Sequence, residues 1–267
     1  MGYDTGYTSP NAASLSWTSL SPSGIPSENW RYFEFTVFAT DPDNPNTVFG
    51  GPRGHGVYQS SDGGHIWVAS NQGLAGVNPY AMAISPDNLD EVYAVTGTDG
   101  VAKSSDGGRH WTPLNFRRDG MPWQQTSLVV DPHDPRVIYL GKWCPGSRPH
   151  PDPASDACVR ISRDRGQTWT DVILPQPPPA NYERGEVFAI AVDPQHPGRV
   201  LAGATFQPFN WNWNGAHPFG AMYYSADYGQ TWSLANVDAI QMKGSYIIAF
   251  DTQQAGLAYA GTDGAGL

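Results

Sequence analysis

Apolar residues along this chain gather in runs of four to seven, and no window sustains a helical period. Phe35-Thr36-Val37-Phe38-Ala39-Thr40 is followed by Asn46-Thr47-Val48-Phe49-Gly50-Gly51, and the same pairing of phrases returns four times. Its later copies begin at Ala81, Ser127, Phe188 and Tyr246, and their second halves at Glu91, Arg136, Arg199 and Leu257. Each run has the length of a strand and is bounded by Gly, Pro, Asn or Asp. Some are apolar on both faces, as in Phe188 to Val192, which predicts strands covered on both sides. The turns between the paired runs start at positions 41, 85, 131, 193 and 251, which are 44, 46, 62 and 58 residues apart. The pattern predicts an all-β chain built from a repeat of four short strands.

A second phrase closes each of the first four repeats. It reads Ser60-Ser61-Asp62-Gly63-Gly64-His65-Ile66-Trp67, then Ser104 to Trp111, Ser162 to Trp169 and Ser225 to Trp232. The common pattern is Ser-x-Asp-x-Gly-x-x-Trp. Asp can accept bonds from backbone amides of its own turn, and Gly supplies a positive φ. Ser adds a second local bond, and Trp an apolar anchor. Asp62, Asp106, Asp164 and Asp227 are therefore read as structural.

This phrase resembles the Asp-box, or bacterial neuraminidase repeat, found on β-propellers. Sialidases, sortilin-type receptors, photosystem assembly factors and the two-propeller xyloglucanases of glycoside hydrolase family 74 carry it. The resemblance implies a propeller of four-stranded antiparallel blades, and the repeat length agrees. It predicts one domain with repeats at about 21–67, 68–111, 112–169, 170–232 and 233–267. The fifth repeat stops near Gly264-Ala265-Gly266-Leu267, where its third strand should begin. Ser14-Leu15-Ser16-Trp17-Thr18-Ser19-Leu20 reads like a fourth strand. The expectation is five blades, the last completed by residues 1–20, which removes exposed sheet edges. The competing reading is a part of a larger propeller.

Composition changes little in this picture. Thirty Gly and 24 Pro accompany 10 Trp, 13 Tyr and 10 Phe, as suits short strands with many turns. The net charge of −10 comes without a basic block, which argues against nucleic acid and anionic membrane. No apolar run approaches the roughly 20 residues of a membrane span. Cys144 and Cys158 lie in one Pro-rich stretch, Trp143 to Val159. A disulfide there would staple the stretch and fit an oxidising, extracellular address; free thiols are the other reading. No further Cys or paired His stands at ligand spacing, so neither metal nor cofactor is expected.

In a propeller the first-to-second and third-to-fourth strand turns share one face, with the Asp-boxes on it. The other face collects the long insertions here, and loops that grow on one face of a repeat carry recognition. It holds Trp30, Trp123, Tyr182, Trp143 and the insertion Phe206-Gln207-Pro208-Phe209-Asn210-Trp211-Asn212-Trp213-Asn214. Indole stacks on the C–H faces of sugars, and Asn both donates to and accepts from hydroxyls. Trp211, Asn212 and Trp213 thus read as a carbohydrate subsite, as pins for a long loop, or as a contact with another protein.

Catalysis has one pair of candidates. Gly97-Thr98-Asp99-Gly100 and Gly261-Thr262-Asp263-Gly264 both follow second strands. They match the Thr-Asp part of a Thr-Asp-x-Gly-Gly phrase that holds an acid–base residue in the family 74 xyloglucanases. Val101 and Ala265 replace its second Gly, and the second propeller of that family has no counterpart here. An inverting pair would stand about 6.5–9.5 Å apart. No arginine phrase of the sialidase kind is present. Three functions follow as expectations: a recognition module for glycan or protein, a glycoside hydrolase using Asp99 and Asp263, or an oligomerising subunit of an extracellular assembly.

Overall fold

The computed structural model describes residues 23–24, 35–41, 44–52, 54–97, 99–114, 127–145, 155–177, 182–208, 219–235 and 245–262. Among these every regular element is a strand, and four antiparallel four-stranded blades follow one another in chain order. Blade 1 holds β1 (Phe35–Thr40), β2 (Val48–Pro52), β3 (Tyr58–Ser60) and β4 (Val68–Ala69). Blade 2 holds β5 (Pro79–Ser85), β6 (Asn88–Thr96), β7 (Gly100–Ser104) and β8 (Thr112–Pro113). Blade 3 holds β9 (Leu128–Val130), β10 (Ile138–Pro145), β11 (Ser155–Ser162) and β12 (Thr170–Ile173). Blade 4 holds β13 (Tyr182–Val192), β14 (Val200–Pro208), β15 (Phe219–Ser225) and β16 (Ser233–Leu234). Two strands of a fifth, β17 (Ser245–Phe250) and β18 (Ala258–Thr262), pair antiparallel with each other. The segment 1–20, proposed to complete that blade, lies outside the described residues, as do residues 263–267.

The boxes fold as their residue types demand, and all four do so alike. Ser60, Ser104, Ser162 and Ser225 each donate their hydroxyl to the box carboxylate at 2.8–2.9 Å. The same oxygens accept the amide of the residue four positions on, Gly64, Gly108, Gly166 or Gly229, at 2.8–2.9 Å. The carboxylate then accepts the amide four positions beyond it, at Ile66, His110, Thr168 or Thr231. Arg165 and Tyr228 take positive φ inside their boxes, where Gly63 and Gly107 stand in the first two. The indole N–H of Trp67, Trp169 and Trp232 donates to the carbonyl of the box glycine, while that of Trp111 donates to Ser70 O.

The core lies in the seams between blades. Phe49 and Val57 of blade 1 meet Met82, Val92, Ala94 and Trp111 of blade 2. Tyr93, Val95 and Val101 of blade 2 meet Leu128, Val130, Ile138 and Leu140 of blade 3, with Trp169 packed against them. Tyr139, Val159 and Ile161 meet Val187, Ile190, Phe206, Tyr223 and Trp232 between blades 3 and 4. The box Trp of a blade thus enters the seam with the blade before it. Burying such an aromatic stabilises by about 2–3 kcal/mol at the usual area coefficient.

Polar contacts repeat across the same seams on the box side. Arg165 reaches from blade 3 to Asp87 at 2.6 Å and Glu91 at 2.9 Å in blade 2. Gln195 donates to Thr252 O at 2.8 Å, from blade 4 to blade 5. Burial alone would raise the Glu91 carboxyl, but hydrogen bonds from Lys103, Tyr93 and Arg165 outweigh it and hold the group low.

Candidate ligand face opposite the Asp-boxes

Four strands lengthen toward the face away from the boxes, and they take in residues that the sequence reading left in loops. Trp143 was expected in a loop and stands on β10, paired with Ala157. Tyr182 was expected in a connection and opens β13, paired with Pro208. Phe206, Gln207 and Pro208 extend β14, and Phe206 pairs with Phe219 at the start of β15. Backbone pairing between facing strands thus overrides the turn composition of these stretches. The Phe206 and Phe219 rings stack 5.4 Å apart at the foot of the Trp/Asn insertion. Trp211, Asn212 and Trp213 themselves, together with Trp30, Trp123 and Asp263, lie outside the described residues.

Cys144 and Cys158 form a disulfide, with Cα atoms 5.9 Å apart. They sit diagonally across the ladder, since Cys144 pairs with Asp156 and Lys142 with Cys158. The bond therefore clamps two strands at the base of the Pro-rich tip. Beside it an ionic group joins three strands. Lys142, almost wholly enclosed, places Nζ 3.4 Å from Asp171, and Arg160 grips the same carboxylate at 2.6 Å. Burial pushes the Asp171 carboxyl up, yet the Arg160 bonds and the Lys142 charge outweigh it and hold the group low. The two sulfurs and Asp171 come within 4.8 Å of one another, but the sulfurs are spent on each other.

Asp99 is fastened on every side. Its carboxylate accepts the amides of Ala75 at 3.0 Å and Gly76 at 3.0 Å, and the Thr96 hydroxyl at 2.9 Å. Its own amide donates to Thr96 Oγ1 at 3.1 Å. The short loop after β6 is thereby latched to the connection entering blade 2. Gly97 donates to Asn78 O and Gly56 to Val77 O, so that connection is held from both neighbouring blades. This arrangement orders loops. Ala75, Gly76 and Thr96 converge on Oδ2, while among the described residues Oδ1 takes only a longer bond from Ala75 at 3.2 Å.

Glu186 is buried on β13 directly opposite Thr205 of β14. Burial pushes its carboxyl up to about 7, and the nearby Arg184 charge pulls the other way. The buried Thr205 Oγ1 has no hydrogen-bond partner among the described residues. A usable signal was present in the sequence. Glu186 directly precedes the apolar run Val187 to Val192 of β13, and Lys142 stands between Leu140-Gly141 and Trp143-Cys144.

Comparison with known proteins places this geometry. The BNR/Asp-box repeat family profile matches residues 223–234, the last strands and box of blade 4. No curated protein matches by sequence. Among solved structures, a family 74 xyloglucanase from Xanthomonas campestris superposes over 87% of this chain and 36% of its own, at TM-score 0.59 and 22% identity. A family 74 enzyme from Niastella koreensis does so over 84% of this chain and 34% of its own, at TM-score 0.58 and 20% identity. An ancestral family 74 enzyme covers 86% and 29%, at TM-score 0.61 and 18% identity. The chain spans about a third of the length of these structures, and at such identity the likeness is one of fold. The profile match and the succession of antiparallel blades give this chain the arrangement of a β-propeller that carries Asp-box turns.

Proposed function

We propose that this propeller is an extracellular recognition module that binds a glycan on the face opposite its Asp-boxes. One observation carries the reading: an insertion rich in Trp and Asn, residues 209–214, stands on the two long strands β14 and β15. Indole faces with flanking amides are the chemistry that stacks on and hydrogen-bonds to a sugar ring. The preceding blade carries the half-buried Trp143 on a disulfide-clamped hairpin, and its oxidised state fits an extracellular address. Recognition is favoured over hydrolysis because Asp99, the one described member of the acid pair, has one oxygen, Oδ2, taken by three donors of its own fold.

The test is a glycan-array screen of the whole chain, with reducing-sugar release followed on every hit. Binding without turnover, weakened at least tenfold by Trp211→Ala, is the expected result. Turnover abolished by Asp263→Asn would replace this reading with the hydrolase, whose family 74 fold the chain resembles. Failure to bind any glycan would move the function to a protein partner or an extracellular assembly.

A further inference from the structure

A regular strand sends residues i and i+2 to the same face. The inner strands of blades 2 and 4 break that rule at one place. Pro79 lies against Gly51 of blade 1, where an added Cβ would meet its ring, while Ala81 packs into the seam with blade 3. Val187 faces blade 3 in the same way, and Ala189 the seam with blade 5. Within each strand the ladder slips between those two residues, which leaves Tyr80 and Phe188 bulged. Strands β1 and β17 slip at the matching register, around Thr36 and Tyr246. The device is common to the blades.

A bulge re-aims the side chain that it displaces. Neither Tyr80 nor Phe188 joins a seam cluster, and both are half-buried. Their side chains therefore leave β5 and β13 on the edge away from β6 and β14. Inner strands of successive blades lie beside one another, so that edge lines the middle of the propeller. Gly97 makes room for the Tyr80 ring: an added Cβ there would touch its Cε2 and hydroxyl at 3.4 Å, and Asn78 Cβ at 3.8 Å. The ring thus stands beside the half-buried Asn78, toward the end of the blade opposite the box.

Blade 4 repeats the arrangement with other residues. Glu186, like Asn78, stands two residues before the bulge. Its carboxyl, pushed up to about 7 by burial, keeps its proton in part of the molecules near neutrality and then offers a donor beside an acceptor, as Asn does. The buried Thr205 hydroxyl opposite it has no hydrogen-bond partner among the described residues. An aromatic ring next to a group that both donates and accepts is thus presented twice on the inner side of this face.

We propose that Tyr80, Asn78 and Phe188 form an axial subsite for a neutral oligosaccharide, separate from the insertion at residues 209–214. The subsite rests on the reading of this face as glycan-binding and gives that reading a ligand class. The two rings supply stacking faces for pyranose C–H groups, and the Asn78 amide meets their hydroxyls. A net charge of −10 disfavours an anionic chain, which selects a neutral one.

Titration calorimetry with the neutral glycans that the whole chain captures on an array tests this in Tyr80→Leu and Phe188→Leu. Leucine keeps apolar bulk but has no flat face, whereas Tyr80→Phe and Phe188→Tyr keep the face. Urea unfolding of each variant shows that it folds. The expected result is binding weakened about tenfold in each leucine variant, the size of one stacking contact, and nearly unchanged in the aromatic swaps. Unchanged affinity in both leucine variants overturns the subsite and leaves glycan recognition by the insertion in place. Capture of acidic glycans alone overturns it too. An equal loss in the aromatic swaps assigns the effect to packing and removes the stacking role. A chain that captures no glycan overturns the reading of the face, and the subsite with it.

Discussion

Asp227 and Glu186 are both carboxylates in blade 4, and their surroundings give them opposite effects on stability. Asp227 accepts the Ser225 hydroxyl, the Thr231 hydroxyl and the Thr231 amide. Loss of such local bonds costs about 1–2 kcal/mol, so Asp227→Ala should lower the unfolding free energy read from urea denaturation by that amount without touching ligand binding. Burial acts against the Asp227 charge, but these bonds prevail and its pKa falls, while amide and ring contacts with His110 hold Asp106 down at about 2. Groups lowered in this way stabilise the fold above the ordinary carboxyl range, and that contribution is lost as pH falls toward 2. Glu186 behaves in reverse. Its folded pKa of about 7 lies above the unfolded value, so stability is lost as pH rises from about 4.5 toward 7 and stays lost above that. The penalty is about 3 kcal/mol. Urea unfolding at pH 5 and pH 8 should show that gap shrink by about this much in Glu186→Gln; an unaltered gap would contradict the assignment. The boxes were legible because their serine and aspartate bonds are all made within eight residues. The burial of Glu186 was not, since it depends on Thr205 and on the facing blade.

Strands β10 and β11 run past the ends of their neighbours, and the disulfide fixes the overrun. The sulfur pair closes a span of 14 residues. Chain-entropy reasoning gives about 3 kcal/mol for a loop of that size. Replacing both residues, Cys144→Ala with Cys158→Ala, should lower stability by about 2–3 kcal/mol in guanidinium unfolding, and reduction of the native protein should match it. The existence of the pair was legible, but its placement on two strands was not. Pro145 and the following Gly and Pro residues read as loop, and no local signal announces that Lys142, Trp143 and Cys144 still find ladder partners. Tyr182 was misread for the same reason, because its partner Pro208 is set by register along β13 and not by the residues beside it.

At the scale of the molecule, blade succession was readable because the turn and box phrases recur at near-constant spacing. The ionic links between blades were not. Arg165 finds Asp87 and Glu91 more than seventy residues away, and only the ring geometry brings them together. On the face away from the boxes, the sequence offered Asp99 as one of two acid–base candidates, and its described contacts latch the loop after β6 to the connection entering blade 2.

Seam construction also bears on how such a chain changes over generations. Blades 1, 2 and 3 offer an aromatic under the next box, and blades 2, 3 and 4 a tryptophan to the seam behind. The parts at one junction are therefore interchangeable with those at another. Duplication or deletion of one unit at an Asp-Pro turn joins a leading face to a trailing face of the same design, so blade number can drift without new core packing. Ligand loops, carried at the opposite ends of the strands, travel with each unit and diversify independently of the joint.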